Sequence, residues 1–204
     1  MEKQRPGKAR ERRRARTKQL ILSAAEEILN EKGPEALSMR ELASRIEYSP
    51  AALYEYFGSK EEIITALCEK TLIGLAEVLS EIPPQLPPAE RLLRAGLTYL
   101  RFARAFPQQY LLTFSSGRSE QNPLHLVEAS QAYNLLRQII ADGIDQGVFL
   151  PRPDYGLAEM TYHCWAIVHG MAMLHLTLLS SEGQNLEDLH ERVLRGLIAG
   201  LQHP

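Results

Sequence analysis

The residues with the clearest chemistry are the cations at the start of the chain. Residues 1–20 carry nine Lys and Arg and two Glu, a net charge of +7. Residues 61–204 carry ten basic and 16 acidic side chains, a net charge of −6. Guanidinium and ammonium groups at this density bind phosphates. The sequence therefore predicts a polyanionic partner for one end of the molecule only.

Several residues between positions 38 and 60 are of the types that bind DNA. The methyl groups of Ala51 and Ala52 let a helix approach closely and pack on thymine methyls, and Tyr54 can hydrogen-bond a base edge or a phosphate. Backbone N–H groups at capped helix starts bind phosphates, and Arg40 and Lys60 stand beside two such starts. These side chains predict a nucleic-acid contact, although each serine cap would serve its helix equally well without DNA.

Short capped helices must position these side chains. S-x-x-E capping boxes begin at Ser38 and Ser59, and Ser49 is a suitable N-cap between them. We expect the middle helix over 50–57 and a longer helix over 60–81. A short helix, a tight turn and a second short helix form the helix-turn-helix arrangement, in which the second helix lies in the major groove.

The run Ser38–Glu62 resembles the DNA-binding signature of the tetracycline-repressor (TetR) family of bacterial one-component regulators. The preceding Ile21–Ala25 matches the same pattern, so the resemblance covers about residues 15–65. It implies an all-α fold of about nine helices. A three-helix helix-turn-helix domain over 15–62 would be followed by a larger helical bundle over 63–204 for ligand sensing and dimerisation.

The resemblance implies roles by position. Ser38 and Arg40 fall where the family contacts phosphates, and Tyr56 and Lys60 match its phosphate-binding aromatic and lysine. Glu47 departs from the Gly that is frequent in this turn, where a left-handed backbone is convenient. We expect Glu either to reduce the stability of the turn or to change the turn slightly. The predicted DNA contacts are Ser38, Arg40, Ser49, Pro50, Ala51, Ala52, Tyr54, Tyr56, Lys60 and, in the basic arm, Arg12, Arg13 and Arg14.

The basic arm, residues 1–14, is expected to be disordered. Its cations could enter the adjacent minor groove, as the arms of other DNA-binding proteins do, or could act as a non-specific anchor. In either role they would steepen the salt dependence of binding. Residues 21–60 carry only four basic but seven acidic side chains, so the arm supplies the cationic charge.

The rest of the sequence argues against several classes of protein. It contains no phosphate-binding glycine loop, H-E-x-x-H or nucleophile motif, so we predict no catalytic residue, no cofactor and no enzyme activity. Cys68 and Cys164, 96 residues apart, predict buried or semi-buried free thiols in a reducing compartment, the cytoplasm. The uncharged stretch Met160–Leu179 has the length of a membrane span, but its histidines favour a buried helix, and their six-residue spacing argues against a metal site.

A second resemblance runs through the larger domain. Trp165, His169 and Gly170 match the W…HG pattern of one C-terminal subgroup of the family, which implies dimerisation and an inducer pocket. Pockets combine apolar and aromatic walls with a few polar groups, so we expect an apolar or aromatic inducer. A plain core role is the alternative for each aromatic residue. The predicted ligand contacts are Tyr99, Phe102, Phe106, Tyr110, Tyr133, Tyr162, His163, Trp165 and His169.

The last helix, expected over 186–202, contains two glycines that each cost about 1 kcal/mol relative to Ala. Close contact with a second copy of the chain would explain them, and packing within one subunit is the alternative. The predicted dimer interface is Gly196, Leu197, Gly200 and Leu201. A two-fold homodimer would present two recognition helices to a near-palindromic operator in double-stranded DNA.

The sequence therefore predicts a sequence-specific DNA-binding regulator, a dimeric repressor released from its operator by a small molecule. The alternative is a helical-bundle protein that binds an anionic membrane surface, or nucleic acid non-specifically, through its arginine-rich arm. We expect no membrane partner, because lipid binding does not need Tyr54 or Tyr56 on the recognition helix. Activation in place of repression is an alternative within the same class of regulators.

Overall fold

The computed structural model describes residues 6–114, 127–179 and 186–203. These residues form nine α-helices and no β-strand, which confirms the predicted all-α fold. The helices are α1 Pro6–Lys32, α2 Met39–Arg45, α3 Pro50–Tyr54, α4 Lys60–Ser80, α5 Pro88–Ala105, α6 Pro107–Phe114, α7 Gln131–Asp145, α8 Leu157–Leu174 and α9 Glu187–Gln202. A 3-10 turn over Pro34–Ala36 follows α1, and a π-helical segment over His175–Leu179 follows α8.

Local backbone chemistry explains where the first helices end. α1 ends directly before Gly33, whose φ of +76° suits glycine. α3 is shorter than the predicted helix over 50–57. The amides of Tyr56 and Phe57 both donate to the carbonyl of Leu53, which tightens the last turn.

The first helix corrects the expectation of a disordered arm. Residues 6–14 are the first turns of α1, and residues 1–5 lie outside the described part of the chain. Arg, Lys, Glu and Ala are good helix formers, and Pro6 stands at the first helical position, where proline is tolerated. The hydroxyl of Thr17 also donates to the carbonyl of Arg13 at 3.1 Å. The expected break after residue 14 is therefore absent.

The described chain divides into two compact units. The first contains the residues up to Thr71 and those from Gln108 to Phe114. The second contains Leu72–Pro107 and the described residues from 127 onward. The division falls inside α4, whereas the resemblance implies one after residue 62.

The core of the first unit follows helical spacing along α1. Ile21, Ala25, Ile28 and Leu29 are completely buried, because residues three and four apart share one face of a helix. The other helices of this unit also contribute buried side chains, among them Leu42, Ala43, Leu53, Ile63 and Leu67. Apolar packing therefore orients the short helices α2 and α3.

The second unit is a helical bundle. α5 packs against α7, α8 and α9, and α8 packs against α7 and α9. Arg91 of α5 and Asp142 of α7 form an ion pair of 2.5 Å, which holds the pKa of Asp142 below its usual value. Gly143 leaves room for the ring of buried Phe149, because a Cβ there would lie 2.0 Å from Cδ2 of that ring.

Two predictions about single segments are also answered. Cys68 and Cys164 are both free and buried, as expected, and burial raises the pKa of the Cys164 thiol to about 12. None of the described helices is long and apolar enough to cross a membrane. Residues 160–179 instead form most of α8 and the π-helical segment behind it.

Candidate functional site

Backbone hydrogen bonds build the turn between α2 and α3. The amide of Tyr48 donates to the carbonyl of Ala43 at 2.9 Å, and the amide of Glu47 donates to that of Ser44 at 3.4 Å. This is the Schellman pattern, which satisfies the last carbonyls of a helix. Glu47 has a φ of +57°, the left-handed conformation that Gly would adopt more readily. The turn therefore forms even though Glu47 stands at a position that suits Gly.

Serine caps begin α2, α3 and α4, as the sequence predicts. The hydroxyl oxygens of Ser38, Ser49 and Ser59 each accept a hydrogen bond from the amide three residues later, at 3.2 Å. The carboxylate of Glu41, which would complete the first capping box, accepts a bond from Nζ of Lys32 at 2.7 Å. The caps fix where each short helix begins and hence which side chains face outward.

α3 has one buried face and one exposed face. Leu53 is fully buried, and Phe57, just beyond the helix, is nearly so. Tyr54 is 55% exposed, Ala51 is exposed and Ala52 is half-buried. The residues that the sequence predicts as base contacts are therefore accessible, and the buried pair anchors the helix beneath them.

Cations of α1 lie next to the segment that follows α3. The guanidinium carbon of Arg14 is 5.5 Å from the ring centroid of Tyr56, and Nζ of Lys18 is 4.9 Å from that of Phe57. Both distances fit cation–π contacts. The other predicted DNA contacts are exposed or half-buried in the same unit: Ser38, Arg40, Ser49, Pro50, Lys60, Arg12 and Arg13.

Sequence reasoning missed an ion-pair network that joins α1 to α2. Arg45 donates to both carboxylate oxygens of Glu31, at 2.9 and 2.7 Å, and lies 3.6 Å from Glu27. The hydrogen bond from Arg45 lowers the pKa of Glu31, and the one from Lys32 lowers the pKa of Glu41. These pairs offset part of the acidic charge of the helix-turn-helix, which would otherwise repel phosphates. No local spacing reveals them, because Arg45 and Glu31 lie on different helices.

Five of the predicted ligand residues form one aromatic cluster in the second unit. The ring centroid of Trp165 lies 6.0 Å from that of Tyr133, 6.1 Å from that of Tyr162 and 5.6 Å from that of His169. The hydroxyl of Tyr99 is 3.3 Å from Nδ1 of His169, and burial lowers the pKa of that imidazole. The cluster joins α5, α7 and α8, and it combines apolar rings with hydroxyl groups and a neutral imidazole.

The other four predicted ligand residues have different neighbours. Phe102 and Phe106 pair with each other, with ring centroids 5.0 Å apart. His163 is hydrogen-bonded to the hydroxyl of Tyr155. Tyr110 is fully buried and belongs to the first unit.

A groove of about 570 Å³ in the second unit is lined by residues of α8 and α9. A Cβ built on Gly196 or Gly200 would meet no described atom within 4 Å. Packing within the described subunit therefore does not explain these two glycines. All four predicted dimer residues line this groove: Gly196, Leu197, Gly200 and Leu201. Sequence reasoning missed the other lining residues: Arg152, Tyr155, His163 as a groove residue, Ile167, Val193 and His203.

Exposed apolar side chains extend along both helices beside this groove. On α9, Leu189 is 46% and Val193 41% exposed, and Gly196 continues the same helical stripe. On α8, Leu174 is 51% exposed. The spacing of four and then three residues on α9 is a sequence signal that could have located this face.

Two family models match the chain. Residues 21–67 match bacterial regulatory proteins of the tetR family. Residues 92–197 match the tetracyclin repressor-like C-terminal domain. The first range contains the helix-turn-helix, and the second contains most of the bundle.

Individual proteins resemble the chain over different lengths. An uncharacterized HTH-type transcriptional regulator of Mycobacterium tuberculosis (strain ATCC 25618 / H37Rv) is 38% identical over 88 residues, which are 43% of this chain and 44% of that relative. The match thus spans less than half of either protein. The TetR family transcriptional regulator PfmR from Thermus thermophilus is 25% identical, with a TM-score of 0.64 over 90% of this chain and 99% of that one.

The fold is also similar to that of AibR, solved in complex with isovaleryl coenzyme A and operator DNA. The identity is 18% and the TM-score 0.64, over 92% of this chain and 98% of that one. At this identity the likeness concerns the fold alone. Because family models match both the helix-turn-helix and the C-terminal bundle, the chain belongs to the TetR family of bacterial regulatory proteins.

Proposed function

We propose that this chain is a ligand-responsive transcriptional repressor that binds a near-palindromic operator as a homodimer and is released from it by a small-molecule inducer. The observation that carries the proposal is the outer side of α3, where exposed Ala51 and Tyr54 stand over buried Leu53. A helix anchored on one face and accessible on the other fits the major groove. We expect the protein to act in the cytoplasm, where its operator would be.

On DNA, α3 would supply the base contacts and its surroundings the phosphate contacts. Ala51 can pack on a thymine methyl, and the Tyr54 hydroxyl can bond a base edge. Arg40, Tyr56 and Lys60 would bind phosphates on either side. Phosphate contacts set the register of the protein on the duplex, and base contacts set the preferred sequence.

The face formed by α8 and α9 supports a homodimer. Gly196 and Gly200 leave open space beside exposed Leu189 and Val193, which a second copy of the same face would fill. A two-fold contact is isologous, so each helix would meet its own counterpart or the other helix of the pair. The two copies of α3 would then reach half-sites about 34–36 Å apart, which implies a near-palindromic operator.

The aromatic cluster around Trp165 supports an inducer of apolar or aromatic chemistry. Its rings would contact the ligand, and the Tyr99 hydroxyl and His169 would orient a polar group. AibR, of the same fold, was solved with both a coenzyme A ester and operator DNA. The fold can therefore serve both kinds of partner.

The two sites would communicate through α4. Its residues up to Thr71 belong to the first unit and those from Leu72 to the second. A ligand that prefers one position of this helix would change the separation of the two α3 helices and weaken the fit to paired half-sites. By linkage, operator DNA must then weaken ligand binding by the same factor. Equal ligand affinity with and without the operator would contradict this mechanism.

Selection of bound duplexes from random-sequence DNA tests the proposed function. We expect the full chain to enrich a two-fold symmetric sequence with half-sites about one helical turn apart. Enrichment of no sequence, with binding that depends only on charge, would instead favour the non-specific anionic partner.

Substitution of Tyr54 tests whether α3 is the element that recognises sequence. Tyr54→Ala should weaken binding to the selected site by about 0.5–1.5 kcal/mol, because a single neutral hydrogen bond is worth about that much. Binding to a random duplex should be unchanged, and Tyr54→Phe separates the hydroxyl from the ring. Fluorescence anisotropy on both duplexes measures the effect. Unaltered discrimination in Tyr54→Ala would exclude Tyr54 as a base contact.

A further inference from the structure

We propose that one side of the N-terminal part of α1, residues 8–18, is a second phosphate-binding surface that contacts the same duplex as α3. The opposite side of this part of α1 makes no phosphate contact. The inner row is Arg10, Arg14 and Lys18; the outer row is Lys8, Arg12 and Arg16. The proposal rests on the proposed function, since it takes duplex DNA as the partner. It adds which of the arm's cations bind that DNA.

Helical geometry divides six of the cations into these rows, and Arg13 lies between the two rows. Residues 6–14 are part of α1, so successive side chains turn by about 100° around one axis. Residues four apart therefore line up along the helix, and the centres of the two rows lie about 160° apart around it. A disordered arm would have no such division, and all of its cations would be equivalent.

Contacts fix the direction in which the inner row points. Arg14 lies over the ring of Tyr56 at 5.5 Å, and Lys18 lies over the ring of Phe57 at 4.9 Å. Phe57 is buried beneath the end of α3, so its contact with Lys18 joins this part of α1 to the segment that follows α3. Tyr56 and nearby Lys60 are the predicted phosphate contacts. A duplex that touches Tyr56 is thus within reach of the inner row.

The length of the inner row suits a nucleic-acid strand. Arg10 lies about 12 Å along the helix axis from Lys18, at 1.5 Å per residue. One DNA strand advances about 3.4 Å per nucleotide, so the row spans roughly three nucleotides. Arg10 and Arg14 are exposed, while Lys18 is half-buried against Phe57. We therefore expect Arg10 and Arg14 to bind two phosphates beyond the one that Tyr56 contacts.

This assignment divides the arginines that the sequence alone groups together. Arg12 and Arg14 are both predicted DNA contacts, yet they fall on opposite rows. Arg12, Arg16 and Lys8 are exposed and point away from the side on which Arg14 meets Tyr56. They raise the general positive potential but do not replace counterions at defined phosphates.

Two double variants with identical charge provide the experiment. Arg10→Ala with Arg14→Ala removes two cations of the inner row, and Arg12→Ala with Arg16→Ala removes two of the outer row. Each bound phosphate contributes a slope of about −0.9 to the logarithm of affinity against the logarithm of salt concentration. The inner pair should flatten the slope by about 2 for each bound protomer, and the outer pair should change it by less than about 0.5.

The measurement uses the full chain on the selected site and on a random duplex, between about 50 and 300 mM salt. Hydroxyl-radical footprinting should lose about two protected nucleotides per half-site with the inner pair and none with the outer pair. Arg→Ala keeps helix propensity high, so circular dichroism should show unchanged helix content in both variants.

Equal flattening by the two pairs, or a larger effect of the outer pair, would overturn the proposal. That result would leave the proposed function intact if the wild-type chain still discriminates between the two duplexes. Conversely, a wild-type chain without sequence preference would refute the proposed function. The salt dependence of binding by the two double variants on the random duplex would then still show which row of cations binds phosphates.

Discussion

Glu47 has a backbone conformation that residues with a side chain seldom adopt. Its φ of +57° places it in the left-handed region, where a residue other than Gly loses roughly 1–2 kcal/mol. The turn persists because the amides of Glu47 and Tyr48 satisfy carbonyls at the end of α2. One residue therefore carries strain in the turn that sets the direction of α3.

Replacement of Glu47 by Gly should stabilise the first unit. Relief of the steric strain outweighs the extra freedom of Gly in the unfolded chain, for a net gain of about 0.5–1 kcal/mol. Native-state hydrogen exchange of amides in α2 and α3 would measure the change locally. DNA affinity should be retained, because Glu47 is not a predicted contact.

Glu69→Gly is the matched control, since Glu69 is exposed in the interior of α4. There the same exchange should lower the free energy of unfolding by about 1 kcal/mol, because Gly is a poor helix former. If Glu47→Gly were destabilising to the same extent, the backbone at Glu47 would not be strained.

At the scale of elements, the glycines of α9 distinguish folding from assembly. Ala at Gly196 or Gly200 would meet no described atom, so each change should stabilise an isolated chain by about 1 kcal/mol through helix propensity. The same methyls would fill space that the proposed partner occupies. We therefore expect the double variant to be more stable as a monomer and at least tenfold weaker as a dimer.

Urea unfolding at low protein concentration and sedimentation equilibrium measure these two effects separately. Gly143→Ala provides the contrast, because its methyl would clash with the buried ring of Phe149. Overpacking of this kind should cost about 1–3 kcal/mol of stability. A double variant at Gly196 and Gly200 that dimerised as tightly as the wild type would show that this face is not the interface.

His175 and His190 meet where the π-helical segment approaches the start of α9. Their ring centroids are 5.9 Å apart, and Nδ1 of His175 is buried without a hydrogen-bond partner among the described residues. Burial, and secondarily Arg104, lowers the pKa of His175. Burial likewise lowers the pKa of His190, assisted by His175 and Arg104 and opposed by Glu187. The fold therefore favours two neutral imidazoles at this junction.

The second unit should lose stability as the pH falls below the ordinary histidine pKa of 6.5. The unfolded chain then binds protons that the folded chain does not, so the free energy of unfolding declines until the lowered pKa values of the folded state are reached. Thermal melts between about pH 7.5 and 5.5 should show a falling Tm. His190→Gln should flatten this fall, and His203→Gln at the exposed end of the chain should not. If Tm depended on pH identically in the wild type and in both variants, His175 and His190 would not be the cause of the lost stability.

Local chemistry explains how much of these elements could be predicted from the sequence. Ser38, Ser49 and Gly33 mark helix ends because a cap or a left-handed residue acts within a few positions. The expected disorder of the arm does not hold for residues 6–14, for the opposite reason. Charge density suggested a disordered arm, while the intrinsic helix propensity of Arg, Lys and Ala continues the helix to Pro6.

Contacts between distant positions could not be predicted in the same way. Arg45 meets Glu31 only because α2 packs on α1, and Tyr99 meets His169 only because α5 packs on α8. Residue type selected the nine aromatic and histidine candidates without separating cluster members from plain core residues. Tertiary packing makes that separation, as Tyr110 in the first unit illustrates.

At the scale of the molecule, charge and apolar surface are distributed unequally. The chain has a net charge of −2, yet the first 20 residues carry +7. The acidic remainder would keep the second unit off the DNA while the basic arm and α3 approach it. The exposed apolar stripe of α9 lies in this acidic part, which suits contact with another protein surface rather than with phosphate.

A carboxylate on this stripe should therefore separate assembly from DNA recognition. Val193→Glu would bury an unpaired charge in the proposed interface, and such a charge is strongly unfavourable there. Ala199→Glu, exposed on another side of α9, adds the same charge as a control. Val193→Glu should sediment as a monomer and bind the full palindrome at least roughly 100-fold more weakly, while preferring the same half-site sequence. Ala199→Glu should dimerise and bind normally. If Val193→Glu remained a dimer, the two-fold axis would have to lie elsewhere; if it lost the half-site preference as well, dimerisation and recognition would not be separable in this chain.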